Sequence, residues 1–130
     1  MTTPKWLIDT DIIVDYLRGN PQATKFLEKT IPNSFCAIST ITIAELYVGV
    51  REGTERPILD QFIKEFHIVV MNERIAERGG LFRRDYGKSH GVGLADAIIA
   101  ATANEIEARL ITLNKKHYPM LKNVHVPYQK

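Results

Sequence analysis

Three carboxylates in this sequence stand where a carboxylate is costly. Asp9 ends the apolar run Trp6-Leu7-Ile8, Glu45 is the only charged residue between Thr40 and Val50, and Asp96 is the only carboxylate or base, histidine aside, between Ser89 and Asn104. A lone buried carboxylate costs several kcal/mol unless it is paired, hydrogen-bonded or bound to a cation. Three of them on separate segments therefore ask for a common partner. A shared divalent ion is one: magnesium or manganese prefers carboxylate oxygens, keeps several waters, and activates a water beside a scissile phosphate. The chemistry this points to is phosphodiester hydrolysis.

Each residue also has a plain structural role that competes with that reading. Asp96 lies near a helix start and is placed to cap it, and Asp9 is placed to cap the helix that follows or to bind turn amides. Asp11 is better suited to capping or support than to ligation. Glu45, in mid-helix, has no capping duty, so its structural alternative is a buried pair with an arginine or lysine. Other candidates are weaker. His67, His90, His117 and His125 show no metal-ligand pairing at helical spacing and are expected on surfaces or loops, with no catalytic role. There is no phosphate-cradling glycine loop, dinucleotide fingerprint or serine elbow. Arg74, Arg78, Arg83, Arg84 and Lys88 are interleaved with Glu73, Glu77 and Asp85, the pattern of a solvated helix face.

The elements that must hold these residues alternate between strand and helix. Lys5 to Ile8 reads as a strand, Asp9-Thr10-Asp11 as an acidic turn, and Ile12, Ile13, Tyr16 and Leu17 as a helix stopped by Gly19-Asn20-Pro21. Gln22 to Lys29 predicts a helix, Ser34 to Ile38 a strand, and Ser39 or Thr40 the cap of a helix running to about Val50, nearly all of it buried. Leu59, Phe62 and Ile63 mark another helix and Phe66 to Met71 a strand. A long helix follows from Asn72 through Arg84, closed by Gly87. After the loop Gly91-Val92-Gly93 come a helix over Leu94 to Ala108, a strand over Arg109 to Thr112 and a last strand near Val124 to Val126. Such alternation implies an α/β fold with a central, mainly parallel sheet covered on both faces by helices. Sites in such folds lie at the carboxyl ends of the strands, where Asp9 stands.

Composition sets outer bounds. With 130 residues the chain fits a single domain over 1–130, and 45% hydrophobic with 25% charged residues is ordinary for a globular protein. No apolar stretch is long enough to cross a bilayer, and Met1 to Lys5 lacks the order of a secretory signal, so a cytoplasmic protein is expected. The lone Cys36 excludes an internal disulfide or multi-cysteine zinc cage and reads as a small core residue. A net charge of +2 is too slight to announce a nucleic-acid binder.

In order and spacing, these segments resemble the PIN-domain endoribonucleases, and among them the VapC-type toxins of toxin–antitoxin pairs. The resemblance rests on Leu7 to Gly19, on Ile38-Ser39 and Thr42-Ile43-Ala44-Glu45-Leu46 with Gly49, on Asp96 to Ala103, and on Leu110 to Asn114 with Lys116-His117-Tyr118. It implies a three-layer α/β/α sandwich, an acidic pocket for Mg2+ or Mn2+, hydrolysis of single-stranded or loop RNA, a homodimer, and a VapB-type antitoxin that blocks the pocket. Asp9, Glu45 and Asp96 match the family's three most regular acids. At a fourth acidic place this chain has Asn114, and His117 stands where an acid is also frequent. The asparagine oxygen is still able to ligate or to orient a metal-bound water, with one charge fewer for a second metal, and the Thr112 hydroxyl is placed to support the same corner. A catalytically inactive PIN-like RNA-binding module stays open as the alternative function. Asp9-Thr10-Asp11 also looks like the opening of a haloacid-dehalogenase phosphatase, but the later lysine and paired-aspartate motif is missing. A response-regulator receiver needs an aspartate after its middle strand, where this chain has Asn72-Glu73.

Overall fold

In the computed structural model, which describes residues 4–130, four short strands form one parallel sheet and six helices cover it. Strands β1 (Lys5–Ile8), β2 (Phe35–Ser39), β3 (His67–Val69) and β4 (Arg109–Ile111) lie in the order β3-β2-β1-β4. Leu7 pairs with Ala37 on one side and with Leu110 on the other, and Ile8 pairs with Ile111. The chain therefore builds outward from β1 through β2 and β3, then crosses back to add β4 on β1's free side. That reversal opens a crevice at the carboxyl ends of β1 and β4.

Strand alternation assigns the layers. Ile8, Cys36, Ile38 and Ile111 face a core completed by helices α1 (Thr10–Leu17), α2 (Pro21–Thr30), α3 (Thr40–Gly49) and α4 (Glu55–Phe62). Leu7, Ala37 and Leu110 point the other way, onto Ile99, Ala100 and Ala103 of α6 (Leu94–Glu105). Helix α5 (Glu73–His90) packs in turn on α6 through Ile75, Ile98 and Ala101. The alanines of α6 are what let α5 and the sheet approach it from both sides. Cys36 is buried as a small core residue.

Local chemistry explains the helix starts. Asn20 accepts from the amides of Gln22 and Ala23 while Pro21 occupies the first helical position, Ser39 accepts from Ile41, and Asn72 accepts from Ile75. The ends depart from expectation in four places. Helix α5 runs through Gly87 to His90, because its positive-φ cap is Gly91 at φ 65°. Helix α6 stops at Glu105, short of Ala108, and Glu107 takes φ 53° in the turn into β4. The third strand is trimmed to three residues. The expected last strand is a single parallel bridge, His125 beside Ile111, held by the His125 amide on Leu110 and the Thr112 amide on His125. Nor is α3 almost wholly buried: only Thr42 and Leu46 are, and Val48 is 88% exposed. Its sequence is apolar nearly all round, so periodicity did not separate the inner face from the outer one.

The α5–α6 contact supplies a test. A Cβ built on Gly79 meets Ile98 Cγ1 at 3.0 Å and Ile98 Cα at 3.2 Å, whereas one on Gly80 meets nothing within 4 Å. Gly79→Val should destabilise the fold by about 1–3 kcal/mol through overpacking. Gly80→Ala should instead stabilise it by up to about 1 kcal/mol through helix propensity. Urea unfolding of the two variants checks the contrast, and equal shifts would refute close packing at Gly79.

Candidate active site

Where β1 ends, the Asp9 amide donates to Ile111 O at 2.9 Å, so the β1–β4 ladder runs one residue past the strands and sets Asp9 beside Thr112. Asp9 is 5% exposed. Its Oδ1 accepts from the Thr10 amide at 2.7 Å, which makes it the cap of α1. Its Oδ2 accepts from the Thr112 hydroxyl at 2.7 Å and from the Tyr118 hydroxyl at 2.9 Å. The capping role is thus real for Asp9 and occupies one oxygen, while the other is held by the two buried hydroxyls.

Three further carboxylates line the same space. Glu45, from α3, accepts from the Thr10 hydroxyl at 2.7 Å, and that hydroxyl lies 3.1 Å from the hydroxyl of Thr42. No arginine or lysine pairs with Glu45 among the described residues, so the buried ion pair considered for it is not made. Asp96, in the first turn of α6, does not cap it; Gly93 holds that position. Asp96 Oδ1 lies 3.2 Å from the Tyr118 hydroxyl and Oδ2 lies 3.3 Å from His117 Nδ1. Asp11 accepts from the Leu113 amide at 2.9 Å through Oδ2, 3.2 Å from the Thr112 hydroxyl, tying α1 to the turn after β4. Its Oδ1 is buried with no partner among the described residues.

Asp9, Asp11, Glu45, Asp96 and Asn114, with Thr10, Asp15, His117 and Lys130, line one cleft of about 410 Å³. All four residues expected at the site, Asp9, Glu45, Asp96 and Asn114, are therefore brought together. Of the three acids expected to be buried only Asp9 is; the Asp96 side chain is 28% exposed and Glu45 is half-buried. Two contributors carried no signal in the pattern of charge. Tyr118 is fully buried with its hydroxyl between two acids, and His117 touches Asp96 although no role was expected of it. Tyr118 follows Leu113 and Asn114 by only a turn, the short helix Lys115–His117, and that proximity to the end of β4 was the available clue.

Electrostatics follow from crowding. Burial, then the charge of Asp11, pushes the Asp9 carboxyl up to about 7, against the hydrogen bonds from Thr112, Tyr118 and Thr10. Burial also raises Asp11, against the bonds from Leu113 and Thr112. Tyr118 is driven well above the usual phenol range by burial and by the charges of Asp9 and Asp96, so it stays a donor. Its single proton serves both carboxylates. Among the described residues no three histidine, cysteine, aspartate or glutamate side chains are drawn closely enough together to grip an ion at once. Hydroxyls stand between the acids instead. The donor set nonetheless suits a hard cation, being carboxylate and amide oxygen without thiolate, and the buried Asp11 Oδ1 has no partner there among the described residues.

A family model described as PIN domain matches residues 6–120. The relative named Ribonuclease VapC19, from Mycobacterium tuberculosis, is 41% identical over 124 residues, which span 94% of this chain and 98% of that protein. Among solved structures, a toxin–antitoxin complex from Klebsiella pneumoniae superposes with a TM-score of 0.81 at 32% identity, covering 95% of this chain and 98% of that one. VapBC2 from Rickettsia felis, bound to a promoter DNA fragment, gives a TM-score of 0.75 at 27% identity, covering 92% of this chain and 95% of that one.

The raised Asp9 has a consequence for the metal-free protein. Its folded pKa of about 7 exceeds the ordinary 3.8, so the folded state holds a proton that the unfolded chain gives up between those values. This group's contribution is greatest at low pH, is lost as pH rises through that window, and levels off above it. Urea unfolding in chelator across pH 4 to 8, compared with Asp9→Asn, should show that pH-dependent loss in the parent and a flatter profile in the variant. Parallel profiles would rule out the shift.

Proposed function

The chain belongs to the PIN domain family, and from that premise we propose that it is a metal-dependent endoribonuclease, the toxin of a toxin–antitoxin pair. The observation that carries the site is the gathering of Asp9, Asp11, Glu45 and Asp96, from three separated segments, at the carboxyl ends of β1 and β4. Asp9 and Asp96 would hold the ion. A bound magnesium or manganese would polarise the scissile phosphate and lower the pKa of an attacking water. Glu45, anchored by Thr10, would hold the ion with Asp9 and Asp96 or hold its attacking water, and Thr112 fixes the rotamer of Asp9. Asn114, on the cleft wall, offers an uncharged oxygen to the same water. In the reaction the water oxygen bonds to phosphorus while the ester P–O bond breaks, the water proton passing to solvent and the leaving oxygen gaining one.

The remaining parts of the reading rest on other features. The solved relatives in toxin–antitoxin complexes support a VapB-type protein partner. Uncovered apolar side chains, Val48 at 88% and Ile58 at 52% exposure, offer surface for it or for a second copy in a homodimer. No helix among the described residues is long and apolar enough to cross a membrane. An RNA substrate would be met in the cytoplasm, which is where the proposed activity would act.

The purified protein should cut RNA with magnesium or manganese and not with chelator. Glu45→Gln should keep the circular-dichroism spectrum and lose at least about a hundredfold in kcat, the scale of a lost water-positioning group. Asp9→Asn and Asp96→Asn should lose cutting together with metal-induced thermal stabilisation. Full activity in Glu45→Gln would remove its role, and no cutting under any condition, with metal bound, would favour an RNA-binding module without turnover.

A further inference from the structure

Beside the acidic cleft lies a second and larger cavity, about 630 Å³, lined by Asp11, Leu113, Asn114, Lys115, Lys116, Val126, Tyr128, Gln129 and Lys130. Asp11, Asn114 and Lys130 line both spaces, so the two are continuous. Their chemistry is opposite. The cleft gathers carboxylates, whereas the second cavity has three lysines, and its one acid, Asp11, is turned to the Leu113 amide. The short helix Lys115–His117 makes the division: His117 reaches Asp96, while Lys115 and Lys116 project exposed into the neighbouring groove. Neither of those lysines has an ion-pair partner among the described residues. Lys130 marks the boundary, its ammonium 3.0 Å from Asp15 Oδ1, and Tyr128 donates to Asp15 Oδ2 at 2.8 Å, fixing that wall.

We infer that this groove is the track for the RNA strand on one side of the cut, with Lys115 and Lys116 holding the phosphates next to the scissile one. The inference rests on the ribonuclease reading. A polyanion approaching five clustered carboxylates is repelled unless cations flank them, and Lys115 and Lys116, unpaired among the described residues, line the cavity that meets the cleft at Asp11, Asn114 and Lys130. Lysines meet phosphates as point charges and carry no base preference, so the groove contributes affinity and register rather than sequence choice. Leu113 and Val126 give its floor an apolar surface against which sugars can rest. An acidic segment of a protein partner would satisfy the same cations; the continuity with the cleft where phosphate must sit favours the strand.

The test separates binding from cutting. Fluorescence anisotropy with a labelled single-stranded RNA, in chelator and in an Asp96→Asn background, reads the groove even if no cleavage is ever seen. Lys115→Ala with Lys116→Ala should weaken binding roughly tenfold at moderate salt and reduce the slope of log affinity against log salt by about 1.4, two phosphates' worth for a single strand. Arg83→Ala with Lys88→Ala, two exposed cations of α5, should leave the slope as it is. In the cutting enzyme the groove variant should raise KM more than it lowers kcat. Equal affinity and slope in the groove and α5 variants would overturn the track, as would lysine substitutions that impair only the binding of a partner protein. Absence of metal-dependent cutting by the parent would count against the nuclease reading alone.

Discussion

The parallel junction of β1 with β4 is the constraint on which the cleft depends. These strands are neighbours in space and about a hundred positions apart in sequence, and Ile8 beside Ile111 fixes their register. A slip of one residue would exchange Leu7 and Ile8 between the two cores, so packing on both faces enforces that register. Once it is set, Asp9 and Thr112 emerge side by side, and the helix beginning at Thr10 carries Asp11 across to the turn after β4. The site is thus a by-product of two apolar residues finding their correct sides.

What the cleft holds is electrostatic stress managed by neutral donors. Asp9 and Asp11 are close enough to repel and dry enough to resist ionisation, and the groups that meet them are hydroxyls and amides, with no guanidinium or ammonium on either among the described residues. A lysine in Thr112's place would neutralise the charge and leave nothing to attract a cation. Hydroxyls steady the carboxylates without cancelling them, which suits a site whose charge is kept for something that arrives later. Asp15 shows the contrast in the same wall, where Lys130 and Tyr128 satisfy both oxygens and nothing is left over.

Much of this was legible in the sequence because the signals were local. Glu45 and Asp96 stand out as lone acids in apolar company, Asp9 as the acid that ends the first strand, Ser39 and Asn72 as caps, and the strand-helix alternation as a parallel sheet. The resemblance to PIN domains adds Asn114, at the family's fourth acidic place, to the candidate site. What escaped depended on tertiary context. Whether Gly87 or Gly91 ends α5 turns on which one adopts positive φ, and both are glycines. The exposed flank of α3 reads as core because Ala44 and Val48 are apolar. Tyr118 and His117 were named within the last motif but without a role, since nothing in their immediate surroundings says that Asp96 lies opposite.

Tyr118 and Thr112 reach back 109 and 103 positions to bond Asp9. A chain emerging from the ribosome displays Asp9 long before the hydroxyls of Thr112 and Tyr118 that hold it, and Asp96 a short way ahead of Tyr118. A product broken off before Arg109 has neither β4 nor either of those donors, and so carries the acids without their setting. The site therefore comes together only once the chain has been made as far as Tyr118.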